Sequence, residues 1–198
     1  GRQAAYDSDF AAAALYYACV LGMDPSNPKL MEDLAVAQLS SGQVLRALPV
    51  AQKIESEGLR SQVAHLIVVA NLFADKQYDA VLARDLETRG VGPLVDGLLI
   101  GWAHMGAGSV AKALAQFDIV ADQNGLRGFA MYHKALALAS VGDYEGAEAL
   151  FAADDGALTT ISRRAVLARV EILSQLDQND RAREIMADVF VGRSDPAL

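Results

Sequence analysis

The chain has 198 residues, of which 53% are hydrophobic, 21% charged and 7% aromatic. This composition is typical of a globular chain with a sizeable core, and it excludes an intrinsically disordered one. The net charge of -8 excludes nucleic acid as a partner and argues against an anionic membrane surface, because binding to phosphate groups requires clustered Lys and Arg.

A small residue recurs at a nearly constant interval along the whole chain. The residues at this recurring position are Ala13, Ala47, Val81, Ala113, Ala147 and Ala182, and their spacings are 34, 34, 32, 34 and 35 residues. A repeat of this length indicates stacked helix-turn-helix units, because one such unit cannot bury its apolar face alone. The sequence therefore predicts an all-α repeat protein.

The repeat predicts six helix pairs in chain order. They cover residues 1–7 with 9–22, 28–41 with 43–57, 60–75 with 77–88, 93–106 with 109–122, 127–141 with 143–153, and 159–176 with 178–191. The corresponding repeats span about 1–26, 27–60, 61–92, 93–126, 127–160 and 161–194. We expect them to form a single domain over residues 1–198.

The fifth repeat shows the local chemistry of the pattern. Gly142 is suited to a left-handed turn between the two helices, because it has no Cβ to clash. Ala147 is small enough for the helices to approach closely, and Phe151 lies one turn later on the same face and fills the gap. Gly42 and Gly108 occupy the same turn position, whereas the sixth repeat has Asp177 there.

With Tyr144, these residues follow the G-x-Y…A-x3-F part of the tetratricopeptide repeat, which the chain resembles. The Trp position of that pattern holds Met31, His65, Gly97, Met131 and Val166. The resemblance implies a right-handed α-α superhelix (solenoid) of about six repeats that acts as a protein-protein interaction scaffold. The resemblance is to long proteins of this kind from Gram-negative bacteria. It favours a role in envelope assembly and a periplasmic or envelope location over the cytoplasm.

In such a solenoid the first helix of each pair lines the concave surface. The three central repeats are apolar there, whereas the flanking repeats carry Lys29, Glu32, Arg164 and Glu171. We call the central residues the apolar trough and predict that they bind an apolar or amphipathic peptide or helix. The trough consists of Val63, Leu66, Phe73, Val95, Leu98, Trp102, Met105, Phe129, Tyr132 and Leu136.

Three alternatives remain open at this stage. Neighbouring first helices bury part of the trough, or the trough packs on a second copy or on flanking repeats outside the sequence. In the third alternative the chain is a regulatory arm of an enzyme that lies outside it. The first repeat begins inside its first helix, and no capping helix follows the sixth pair, so we expect a fragment of a longer protein.

Catalytic, metal and cofactor chemistry is not recognisable in the sequence. His65, His104 and His133 are isolated on separate helices, so we predict no metal site, no cofactor and no enzymatic activity. We expect His104 to be packed and His133 to be solvated. The Asp154–Asp155 pair is a weak candidate for binding a cation.

The longest apolar stretches are too short to cross a bilayer, so we predict no direct membrane insertion. Cys19 is the only cysteine, which excludes an internal disulfide. We expect its thiol to be packed.

Overall fold

The structure, a computed structural model, describes residues 1–86, 90–153 and 163–190. Within these residues the regular secondary structure is entirely α-helical, and helices pack mainly against their neighbours in chain order. The predicted all-α class is confirmed. The Asp154–Asp155 pair and the predicted helical residues 87–88, 159–162 and 191 lie outside the described residues.

The chain divides into two compact units, Gly1–Gly92 and Pro93–Leu198. This boundary coincides with the predicted boundary between the third and fourth repeats, and one continuous domain stays a prediction. The first unit contains α1 (Arg2–Tyr6), α2 (Phe10–Leu21), α3 (Pro28–Ser40), α4 (Val44–Ser56), α5 (Gln62–Ala74) and α6 (Tyr78–Leu82). The second contains α7 (Pro93–Gly106), α8 (Val110–Ala121), α9 (Arg127–Ser140), α10 (Tyr144–Ala153), α11 (Arg163–Gln175) and α12 (Asn179–Phe190).

A left-handed residue lies two positions after the end of the first helix of every pair. Its positive φ reverses the chain and allows the second helix to begin. The residues and their φ values are Ser8 (61°), Gly42 (75°), Lys76 (56°), Gly108 (75°), Gly142 (85°) and Asp177 (58°). The turn therefore keeps its conformation in each repeat even where the residue is not glycine.

The recurring small residue lies in the core of each pair. All six are buried, with exposed fractions between 0% and 5%. Between α7 and α8 the first helix also carries two glycines, Gly97 and Gly101, that face the second helix closely. A Cβ added at Gly97 would lie 2.3 Å from Cγ2 of Val120, and one at Gly101 would lie 2.4 Å from the ring of Phe117.

The second helix of the third pair is shorter than predicted. The sequence predicts residues 77–88, but α6 ends at Leu82. Asp85 occupies the position at which other repeats place an aromatic residue, and it is exposed. Arg84 forms an ion pair with Glu55 of α4.

Side-chain caps fix where several helices begin. Asp9 accepts a hydrogen bond from the backbone N–H of Ala12 at the start of α2. Asn27 does the same for Leu30 at the start of α3, and Ser61 for Ala64 at the start of α5. Each cap satisfies a backbone donor that the first turn of a helix leaves unpaired.

Candidate partner-binding surface

In the first unit, the predicted trough residues lie on α5. Leu66 is exposed, whereas Val63 and Phe73 are half-buried. Val63 packs against the core formed by α3, α4 and α5, and the ring of Phe73 meets that of Tyr78 edge to face at 5.9 Å between centroids. Of these three residues, only Leu66 is exposed, at 39%.

In the second unit, α7 divides its trough residues in the same way. Val95 is exposed at the start of the helix. Leu98, Trp102 and Met105 are half-buried and pack against a small core formed by α8 and α9. Of these three residues, Trp102 has a direct contact with the next first helix, at His133, as the alternative of burial between neighbouring first helices expects.

Trp102 is the centre of an aromatic cluster that joins α7, α8 and α9. Its indole N–H donates a hydrogen bond to Nδ1 of His133 at 2.9 Å. Its ring meets that of Phe117 edge to face at 5.9 Å between centroids, and the imidazole of His133 stacks on Phe117 at 6.4 Å. Tyr132 adds an edge-to-face contact with His133 at 5.4 Å.

His133 is therefore not the solvated residue that the sequence suggested, and that prediction is wrong. Its position on α9 faces α7, where the long side chain of Trp102 reaches it. Burial lowers the pKa of His133 below its ordinary value of 6.5, because desolvation disfavours the charged imidazolium. The neutral ring suits the geometry, since Nδ1 must carry no proton in order to accept the indole N–H.

On α9, the trough residues lie partly at the surface. Phe129 is exposed, whereas Tyr132 and Leu136 are half-buried. Leu136 lines an open cavity of about 220 Å³, together with residues of α10 and α11. The floor of this cavity includes Ile172, which is buried in the core of the second unit.

Among the described residues, two charge clusters lie away from the trough, one buried and one half-buried, and no sequence pattern indicated either. Glu148 of α10 accepts two hydrogen bonds from Arg169 of α11, at 3.0 Å from Nε and 2.7 Å from Nη2. Arg181 of α12 reaches the same carboxylate at 3.0 Å. In the first unit, Arg84 pairs with Glu55 and lies 3.2 Å from Nδ1 of His65. These pairs link successive repeats, so their role is structural.

The exposure of the two other histidines and of the cysteine can be compared with the predictions. His65 is buried and His104 is half-buried, so the expectation of a packed His104 is met in part. Cys19 is exposed, and the prediction of a packed thiol is wrong. The buried positions of α2 are Ala13, Ala14 and Tyr17, which place Cys19 on the opposite side of the helix.

Among the described residues, no group of three or more His, Cys, Asp or Glu side chains is arranged to hold a metal ion. None of the helices in the same part of the chain combines the length and hydrophobicity needed to cross a membrane. Among the described residues, the features that could receive a ligand include exposed apolar side chains and several open cavities, one of them beside Leu136.

No family model matches the sequence, and no curated protein is significantly similar to it. The resemblance to the tetratricopeptide repeat, the bound partner and the binding residues therefore stay predictions, and they depend on the residues and their geometry alone.

Proposed function

We propose that the chain is a non-catalytic protein-protein interaction scaffold built from tetratricopeptide-like repeats, which stack within each unit in the manner of a right-handed superhelix. Two periodic features support this proposal. The small residue of each pair is buried, and the turn residue of each pair is left-handed. The two features share one register along the chain, as expected for copies of a single supersecondary unit.

The binding surface in this proposal is the exposed part of the first helices in the second unit. The observation that carries it is that three successive first helices each present a large apolar side chain to solvent. These are Val95 at 37% exposure on α7, Phe129 at 44% on α9 and Leu167 at 39% on α11. A partner with an apolar face would remove this surface from water, at about 25 cal/mol per Å².

The test compares two variants that add the same charge on different helices. Phe129→Glu alters the first-helix surface, and Ile119→Glu is the control, since Ile119 is 57% exposed on the second helix α8. Trp102→Glu is unsuitable, because it also removes the hydrogen bond to His133. Circular dichroism first establishes that each variant keeps the parent's helix content.

The parent and both variants are then used to capture proteins from a lysate of the native source. We expect one protein to be retained by the parent and by Ile119→Glu and to be lost with Phe129→Glu. Retention by Phe129→Glu, or equal loss with both variants, contradicts the proposal. Recovery of the chain alone, with a size in solution that rises with concentration, favours the self-association alternative.

A further inference from the structure

An open slot lies between the first helices α9 and α11 of the second unit. The slot is lined by residues of three helices, namely Leu136, Ala139 and Ser140 of α9, Tyr144 of α10, and Ala168, Glu171, Ile172 and Gln175 of α11. Glu171 lies on the rim and is exposed. The slot has a volume of about 220 Å³. Most of its lining is apolar, and two of the lining residues are alanines, whose small side chains leave the space between the helices open.

The same place one repeat earlier, between α7 and α9, is occupied by Trp102. The register of the repeat relates the two places, because Trp102 corresponds to Leu136 and His133 corresponds to Ala168. Between α7 and α9 the indole crosses the gap and donates to His133. Between α9 and α11 the smaller Leu136 and Ala168 leave the gap open. The chain thus shows which kind of side chain fits this slot.

We propose that the slot between α9 and α11 binds an aromatic side chain of the partner, in the position that Trp102 fills in the preceding repeat. This inference rests on the proposed function, since the aromatic residue belongs to the bound protein. The size is suitable, because a cavity of about 150 Å³ already accommodates benzene. An indole also suits the mixed lining, since its ring matches the apolar residues and its N–H is a donor for which the exposed carboxylate of Glu171 is an acceptor.

The test uses a small probe and does not depend on the unidentified partner. N-acetyl-5-fluorotryptophanamide is titrated with the full chain and followed by ¹⁹F NMR, which avoids the fluorescence of Trp102. Ala168→Leu fills the slot. Ala149→Leu is the matched control, because Ala149 is exposed on α10 and does not line the slot. We expect saturable binding to the parent and the control, and binding at least about tenfold weaker to Ala168→Leu.

A double variant provides a second measurement. Leu136→Trp combined with Ala168→His copies the Trp102–His133 arrangement, so it should close the slot, abolish probe binding and keep the parent's thermal stability.

N-acetyl-leucinamide at equal concentration should not displace the fluorinated probe, because it lacks an aromatic ring. The proposal is overturned if the parent shows no saturable binding, if leucinamide competes equally, or if folded Ala168→Leu binds as the parent does. Such a failure leaves the capture result with Phe129→Glu unaffected, so the two proposals fail separately.

Discussion

The hydrogen bond between Trp102 and His133 makes the free energy of unfolding depend on whether His133 is protonated. The indole N–H can donate to Nδ1 of His133 only while that nitrogen is unprotonated. Burial lowers the pKa of His133 in the folded chain below the ordinary 6.5. The unfolded chain therefore takes up this proton at a higher pH than the folded chain does. The contribution of neutral His133 to stability is complete above 6.5 and is lost as the pH falls through the folded pKa.

His133→Gln tests this dependence, because its side-chain carbonyl can accept the indole N–H but does not titrate. We expect the free energy of unfolding of the parent to fall more steeply between pH 7.5 and pH 5 than that of His133→Gln. Urea unfolding followed by the emission of Trp102, the only tryptophan, measures both. Other titrating groups contribute equally to both proteins and cancel in the comparison. Equal dependence of the free energy of unfolding on pH would therefore contradict the role given to His133.

The turn residues offer a second test at the scale of one residue. Lys76 has a φ of 56° where Gly108 has 75° at the equivalent position. A non-glycine residue in this conformation costs about 1–2 kcal/mol, and part of this is offset because glycine is more flexible in the unfolded chain. We expect Lys76→Gly to raise the free energy of unfolding by about 0.5–1 kcal/mol, measured by urea denaturation.

The reciprocal change is the control for this prediction. Gly108→Lys should lower the free energy of unfolding, because it places a Cβ in the left-handed conformation. If Lys76→Gly is destabilising while Gly108→Lys is neutral, the turn is not under the conformational demand described here.

At the scale of helices, the close contact between α7 and α8 depends on Gly101. An added methyl group would lie 2.4 Å from the ring of Phe117, which is fully buried and has little room to move. Alanine favours a helix by about 1 kcal/mol over glycine, but overpacking a core costs about 1–3 kcal/mol. We expect Gly101→Ala to lower the free energy of unfolding by about 1–2 kcal/mol, measured by thermal or urea denaturation.

A double-mutant cycle isolates the clash. In the background Phe117→Leu the ring is absent, so Gly101→Ala should cost less than it does in the parent. The two changes are in contact, and a coupling of about 0.5–3 kcal/mol is expected for such neighbours. Additive effects would show that Gly101 is needed for another reason than its approach to Phe117.

The sequence predicted the helix pairs well where a repeating residue specified them. The small buried residue and the turn glycine determine where two helices meet and where one ends. The end of α6 at Leu82 could not be derived in this way, because the segment that follows it is tied to the preceding repeat by the ion pair between Arg84 and Glu55. Such contacts join residues about one repeat apart, and no local pattern shows them.

Part of the candidate surface could also be predicted from the sequence. Its periodicity identified the apolar side of α7 and α9, but it could not distinguish residues that face solvent from those that a neighbouring helix covers. Phe129 is exposed, whereas Trp102 is half-buried because it reaches His133 on the next first helix. The exposed Cys19 on α2 shows the same limit for a helix that is apolar on most sides.

For the whole molecule, we predict that the first helices of the second unit contact a partner protein and that its second helices do not. A photo-crosslinking amino acid, p-benzoylphenylalanine, placed at Phe129 or at Ile119, measures it directly in a lysate of the native source. We predict that the chain labelled at position 129 crosslinks to a different protein, and that the chain labelled at position 119 does not. Crosslinking from position 119 alone, or from position 129 only to a second copy of the chain, would contradict the proposed scaffold.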